Sequence, residues 1–418
     1  MRSAVVSAPA SFPLITWIEG GEVRTARWRA EGGSPPPRRV VMAEDNSMSA
    51  DAAYRLACEG TALLWRGDFQ NARQLLQAMA RRADSKQLRS SKTSKTSKAS
   101  KADKSGRRGK TTPSPAVPTS LPDAFNQHRL AQSQRARVLG ALLIPVEADY
   151  SIPLRRAPDL HDAFNEAWGE GGEVSVASLR ELLGLVGAHE WRKKGVEIAA
   201  LGGRIHPHYG VFSPVRGEYV TLVAEAPLPP SPSTQGAHAC DLAFDIGTGT
   251  GVLAALLARR GVARVIATDQ DPRAIACARE NLVRLGLADR VEVLQTDMFP
   301  AGRAPLIVCN PPWLPARPSS PLEHAIFDPD SRMLRGFLAG LAAHLAPGGE
   351  GWLILSDLAE HLGLRTRDEL LAAIATAGLK VLGRMERKPH HPRAADASDP
   401  LYAARQAELT SLWRLGAV

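Results

Sequence analysis

The sequence predicts an α/β protein: an open, mostly parallel sheet with helices on both faces, preceded by a smaller, mainly helical N-terminal region. Three observations carry this. From about residue 205, short apolar runs alternate with stretches of helical period. The first of those runs ends in a glycine-rich turn. Upstream, apolar residues recur mostly at helical spacing.

In the C-terminal part, strands are expected at 242–246, 265–268, 291–295, 306–309, 352–355, 380–384 and 409–415. Helices are expected at 252–260, 272–285, 331–345 and 367–377. In such a sheet, ligands sit at the carboxyl ends of the strands, near the point where the strand order reverses.

The upstream regions are expected to divide as follows. Residues 1–47 show no periodicity and contain Gly20-Gly21, Gly32-Gly33 and Pro35-Pro36-Pro37, so they read as an unstructured extension. Met42 and Met48 lie just before the pattern changes, which suggests that translation starts at one of them. Residues 48–83 read as a helical segment capped near Ser49, with one helix carrying Tyr54, Leu56, Leu63, Leu64 and Trp65. A second helix follows Gly67-Asp68 and carries Phe69, Ala72, Leu75, Leu76 and Met79. Residues 84–120 are a disordered, Lys- and Ser-rich linker with nothing apolar to bury. Residues 121–204 read as helical, with helices at 122–143, 157–168 and 175–185, and form a substrate-recognition domain.

The composition, 44% hydrophobic and 23% charged over 418 residues, is that of a globular protein. No apolar run approaches the roughly 20 residues of a membrane span. The longest, 334–346, is broken by Arg335, Gly336 and His344. The net charge of +9 is concentrated: residues 86–110 hold ten Lys or Arg and one acid, Asp103, and the remainder is neutral. Nucleic-acid binding by the folded part therefore cannot rest on net charge. The basic linker reads either as a solubilising spacer or as an electrostatic tether for RNA or DNA. Cys58, Cys240, Cys277 and Cys309 share no metal-binding spacing and point to a reducing cytoplasm. No signal peptide is discernible, and no metal site is expected. His206 and His208, and likewise His390 and His391, read as packing or surface histidines. The loops 316–329 and 388–400, the latter with Arg393, are placed to form lips over a substrate.

The chemistry is concentrated at four strand ends. The first strand ends in Asp245-Ile246-Gly247-Thr248-Gly249-Thr250-Gly251. Glycines there let the backbone turn tightly and approach a ligand that a Cβ would exclude. A nicotinamide-binding loop is the competing reading, but its third glycine would fall at Val252. Asp245, before the glycines, can face the positive end of a zwitterionic ligand. Asp269 closes the next strand, where a carboxylate suits the two hydroxyls of an adenosine ribose. Asp297 follows the third and is placed to accept an adenine amino group. Any one of these alone would pass as a solvated carboxylate, whereas three at successive strand ends behind a glycine loop mark a cofactor site.

The fourth strand delivers Asn310-Pro311-Pro312-Trp313. The prolines hold an extended turn that presents the Asn310 side-chain oxygen and the Pro311 carbonyl as acceptors for an incoming NH2 group. Trp313 offers a stacking face for a planar substrate. A conjugated amino group has a delocalised lone pair. Two acceptors that pull it toward tetrahedral geometry free that pair for in-line attack on a sulfonium methyl. No strong general base is required.

On these motifs, residues 205–418 resemble a class I S-adenosylmethionine-dependent methyltransferase of the Asn-Pro-Pro-aromatic, amino-nitrogen subgroup. The resemblance implies a Rossmann-like seven-stranded methyltransferase sheet with S-adenosyl-L-methionine as cofactor. It assigns cofactor binding to Asp245, Gly247, Gly249, Gly251, Asp269 and Asp297, and the acceptor nitrogen to Asn310, Pro311 and Trp313. Tyr209-Gly210-Val211-Phe212-Ser213-Pro214 resembles the segment that covers the cofactor pocket in the small methyltransferase group. Pro214-Val215-Arg216-Gly217-Glu218 departs from the proline-arginine-proline-acid stretch of release-factor enzymes.

The expected activity is methyl transfer to the exocyclic amino group of a nucleic-acid base, RNA ahead of DNA. The alternatives are N5-methylation of a protein glutamine, as in a release factor, and a catalytically silent RNA-binding scaffold of the same fold. The expected partner is accordingly a nucleic acid or a protein substrate.

Overall fold

The computed structural model describes residues 12–30, 32–45, 47–96, 120–229, 240–318, 323, 325–389 and 399–418, with the side chains of 86–96 excepted. The chain forms two compact units, 1–118 with 129–187 and 119–128 with 188–418, and two of the three boundaries fall within helices.

The first unit holds strands β1 (Leu14–Glu19), β2 (Glu22–Arg29) and β3 (Arg39–Ala43), then helix α1 (Ala50–Cys58), strand β4 (Thr61–Trp65) and helix α2 (Phe69–Thr96). Helix α3 (Leu121–Leu139), strand β5 (Leu142–Val146), helix α4 (His161–Trp168), strand β6 (Ser175–Ser178) and helix α5 (Leu179–Lys194) follow. The six strands form one mixed sheet in the order β1-β2-β6-β5-β4-β3. Its outer strands β1 and β3 approach each other, so the sheet curls around Ile15, Trp17, Trp28, Leu64, Leu143 and Val176.

Several expectations for this region are corrected. The stretch 1–47 is not an unstructured extension: 14–43 supply three of the six strands. Gly20 and Gly21, with φ of 61° and 83°, make the two-residue turn of the β1–β2 hairpin. A start at Met42 or Met48 would remove β1, β2 and most of β3. Leu63, Leu64 and Trp65 lie on β4 and not on a helix, so 48–83 is not purely helical. Both β4 and β5 are buried at every position, and a short, wholly apolar run has no period to distinguish strand from helix. For the same reason 121–204 is not all helix. Ser178 ends β6, and its hydroxyl accepts from the Glu181 amide at the start of α5. The linker expected at 84–120 begins later, since α2 continues through Thr96, and 97–119 lie outside the described residues.

The second unit opens with the hairpin β7 (Val196–Ile198) and β8 (Gly203–Ile205) and helix α6 (Glu218–Glu225). Then come β9 (Cys240–Ile246), α7 (Val252–Arg259), β10 (Val262–Asp269), α8 (Pro272–Arg284), β11 (Val291–Gln295) and β12 (Ala304–Cys309). The unit closes with α9 (Arg332–His344), β13 (Leu345–Ser356), α10 (Leu358–His361), α11 (Arg367–Thr376), β14 (Leu379–Arg387), α12 (Tyr402–Ala407) and β15 (Thr410–Ala417). Seven strands form one sheet in the order β11-β10-β9-β12-β13-β15-β14, with β15 antiparallel to both neighbours. All seven expected strands are present.

Side-chain alternation explains the layers. Leu306 and Val308 of β12, with Trp352 and Ile354 of β13, face the core that includes α6, α7 and α8. Ile307, Cys309, Leu353 and Leu355 face the opposite core, against α9 and α11. Helix starts are marked in the sequence: Asp271 caps α8 ahead of Pro272, and Thr366 with Glu369 forms a capping box on α11.

Candidate functional site

Strand register brings the chemistry together. Ile246 of β9 pairs with Thr268 of β10 on one side and with Cys309 of β12 on the other, and Asp269 pairs with Gln295 of β11. The residues that follow, Gly247, Asp269, Thr296 and Asn310, therefore emerge side by side at one end of the sheet. The strand order reverses between β9 and β12, so this end is the crevice where open sheets take ligands.

Asp245 is 1% exposed, and its Oδ2 accepts from the Thr248 hydroxyl (2.6 Å) and the Ala254 amide (3.0 Å). Burial pushes its carboxyl up to about 6, although both hydrogen bonds act the other way. It thus ties the glycine loop to the first turn of α7. Gly247, Gly249 and Gly251 have φ of 73°, 53° and 80°. A Cβ on Gly247 would meet the Met333 Cε, whereas one on Gly249 would meet nothing within 4 Å. The loop is closed against protein at Gly247 and open at Gly249.

Asp269 accepts from the Asp271 amide at Oδ1 and the Gly249 amide at Oδ2, each at 3.0 Å. Burial raises its carboxyl despite those bonds. Each oxygen keeps a further lone pair for a ligand hydroxyl. Asp297 is exposed and bonds Arg332 at 2.6 Å. Arg332 and Met333 thus bring the first turn of α9 against Asp297 and the glycine loop. The Asp328 carboxylate pins that turn by accepting from the Met333 and Leu334 amides, while the Asp328 amide donates to the Leu314 carbonyl. Asp330 and Ser331, with φ of 55° and 53°, make the bend between them.

The tetrad differs from expectation in two details. The Asn310 Oδ1 already accepts the Trp313 indole N–H at 2.9 Å. The Trp313 ring is half-buried and carries the Arg216 guanidinium on it, with Cζ 4.8 Å from the centroid. One face expected to stack on substrate is therefore occupied by Arg216. Pro311 is buried.

The segment 205–214 is fastened to α8. Val211 packs on Ala274 and Cys277, and the His206 amide donates to Asn281 Oδ1 at 2.7 Å. The His208 Nε2 lies 2.6 Å from the Glu280 carboxylate, which also binds Arg192 and Arg284. Burial works to raise the Glu280 carboxyl. The hydrogen bonds from Arg284 and His208 and the charge of Arg192 outweigh it and hold the group at about 2. Among the described residues, no group of three His, Cys, Asp or Glu forms a metal site. His390, His391 and Arg393 lie outside the described residues, as do 319–322 and 324 of the first lip.

Sequence reasoning missed Arg216, Met333, Arg332 and Asp328. Arg216 and Glu218 drew notice only as a departure from another pattern, and nothing local marks the other three.

A mostly parallel seven-stranded sheet with a glycine loop after β9 and carboxylates closing β9 and β10 is a class I methyltransferase fold. Residues 204–370 match the family model of the methyltransferase small domain. The chain is 41% identical over 133 residues to a release factor glutamine methyltransferase of Cereibacter sphaeroides, covering 30% of this chain and 44% of that protein. It is 37% identical over 146 residues to a ribosomal protein L11 methyltransferase of Pelotomaculum thermopropionicum, covering 34% of this chain and 39% of the relative. The chain therefore spans less than half the length of these relatives. A crystal structure of a ribosomal protein L11 methylase from Lactobacillus delbrueckii subsp. bulgaricus aligns at 17% identity and a TM-score of 0.31, covering 47% of this chain and 75% of that one.

Proposed function

We propose that the second unit transfers a methyl group from S-adenosyl-L-methionine to a conjugated amino or amide nitrogen. One observation carries this: the register that sets Gly247 of the cofactor loop beside Asn310 of the acceptor tetrad. The open space at Gly249, the two-point carboxylate of Asp269 and the buried acid Asp245 fit the cofactor's amino acid and ribose parts. The cofactor, when bound, supplies a methyl on a positively charged sulfur.

The remaining work falls to the chain. Asp269 accepts the ribose hydroxyls, and Asp297 reaches the base edge from its bond with Arg332. Asp245 holds the loop and the helix start in register and contributes negative charge when ionised. The Asn310 oxygen and the Pro311 carbonyl accept the two N–H groups of the acceptor. They turn its lone pair toward the methyl, and the proton is lost to solvent after transfer.

For the acceptor we favour the side-chain amide of a protein glutamine over a nucleic-acid base. Two relatives of this chain are named for protein substrates, a release factor and ribosomal protein L11. The base reading keeps one observation, the ten basic residues of 86–110. The four free cysteines accord with a reducing, cytoplasmic setting, and no described helix is long and apolar enough to cross a membrane.

The test uses purified protein, methyl-tritiated cofactor and cell extract, with retained label counted after RNase, DNase or protease treatment. Label lost only to protease is the expected result. Label lost to a nuclease would replace the glutamine with a base. No transfer and no cofactor binding by calorimetry would leave only the silent scaffold.

A further inference from the structure

Three elements of the second unit converge on one guanidinium. Arg216, just before α6, donates through Nε to Glu218 Oε1 at 2.7 Å and through an amino nitrogen to Glu408 Oε1 at 3.0 Å. Both glutamate side chains are about 95% buried, and Arg216 itself is 20% exposed. Ser356, at the end of β13, donates to the same Glu408 oxygen at 2.6 Å, and Thr410, at the start of β15, reaches Glu218. Two buried carboxylates on one planar fork fix its orientation, a job a lysine ammonium cannot do.

The guanidinium so fixed lies over the Trp313 ring, its Cζ 4.8 Å from the centroid. Trp313 in turn holds Asn310, and an indole N–H can only donate. The Asn310 amide must therefore present its oxygen toward Trp313. That leaves the oxygen's second lone pair for an acceptor N–H. An Asn310 freed from Trp313 could rotate and offer its own NH2, a donor facing a donor.

We propose that Arg216 is a positioning residue of the acceptor site: locked by Glu218 and Glu408, it holds the Trp313 indole and thereby fixes the Asn310 amide oxygen toward the substrate nitrogen. This rests on the methyl-transfer reading above. The buried glutamates have a role the cofactor chemistry does not give them, namely to hold the cation over an indole.

The experiment follows the indole N–H directly. The chain has eight tryptophans, so a 15N-tryptophan-labelled sample gives up to eight indole resonances, and Trp313→Phe identifies the relevant one by its loss. Arg216→Lys keeps a charge facing the buried carboxylates but loses the planar fork that bridges them. It is expected to raise solvent exchange of that indole about tenfold, the scale of a desolvated cation–π contact. Glu408→Gln is expected to move the same resonance in the same direction without touching the ring. In transfer assays Arg216→Lys lowers kcat about tenfold while KM for the cofactor stays unchanged. Combining it with Trp313→Phe adds little further loss. An unchanged indole in Arg216→Lys, or losses that multiply in the double variant, overturns the proposal while the methyltransferase reading stands. A wild-type chain that transfers no methyl overturns both, and the two failures are told apart by the wild-type assay alone.

Discussion

The two sheets of this protein use their strand ends in different ways. In the second unit β9, β10, β11, β12 and β13 run parallel, so their carboxyl ends and the loops that follow collect on one side. The order reverses between β9 and β12, the place where open sheets take ligands. The first unit mixes directions and curls until β1 nears β3, and its interior is filled by tryptophan, leucine and isoleucine. Its polar groups close on one another. Asp45 accepts from the Asp68 amide, Asn71 and Arg155, while Asp68 takes Arg156 and the Gln70 amide. In the second unit the glycine loop has open space at Gly249, and Asp245 and Asp269 stand beside it. A chemical site thus follows from strand direction as much as from residue type.

The largest expected effect tests the site half of that contrast. Asn310→Ala should reduce methyl transfer by about a hundredfold to a thousandfold, the range for losing one preorganised transition-state contact. Cofactor affinity by calorimetry should stay within a few-fold. A parallel loss of cofactor binding would mean that Asn310 serves the loop and not the acceptor.

Next comes Leu64→Ala, which opens a cavity inside the curled sheet. It should destabilise the first unit by about 2–5 kcal/mol and lower its melting transition. Cofactor binding to the second unit should be unchanged. If binding collapses with it, the two sheets do not fold as separate units.

A smaller effect is set by Asp245. Its carboxyl stands at about 6 in the folded chain against an ordinary value of 3.8. The folded state keeps that proton in a window where the unfolded state has lost it. Asp245 therefore imposes no penalty below pH 3.8, and stability falls as pH rises toward about 6. Cofactor affinity should run the opposite way, rising through about pH 6, because only the ionised acid attracts a cation. Asp245→Asn should flatten both profiles, measured by thermal melts and calorimetry across that range.

The smallest effect belongs to Arg332→Ala. Its pair with Asp297 is exposed, 61% and 54%, so solvent screens it to roughly 0–1 kcal/mol. Cofactor affinity should weaken less than about fivefold, and a larger loss would show Arg332 touching the cofactor itself.

Sequence alone determined the second sheet almost element by element. Its strands are mostly short apolar runs separated by stretches of helical period, and local signals such as Asp271-Pro272 and Thr366 with Glu369 state where two of the helices begin. It also marked the glycine loop and the Asn310–Trp313 tetrad, which the strand register brings to one end of the sheet, because glycines, strand-end carboxylates and paired prolines are each informative where they stand. The first sheet was not legible. Thr61–Trp65 and Leu142–Val146 are buried on both faces and carry no period, and β1–β3 are short strands that exist only by pairing with one another and with β4 and β6. Tertiary structure alone decided which residues pack behind the glycine loop and the tetrad. Arg216 meets Glu408 across 192 positions and Met333 meets Gly247 across α7 to β12, distances over which no local pattern reaches. Residue types fix what a position can do. Only the packing of β13, α6 and β15 around one guanidinium decides which indole it holds and which way an amide points.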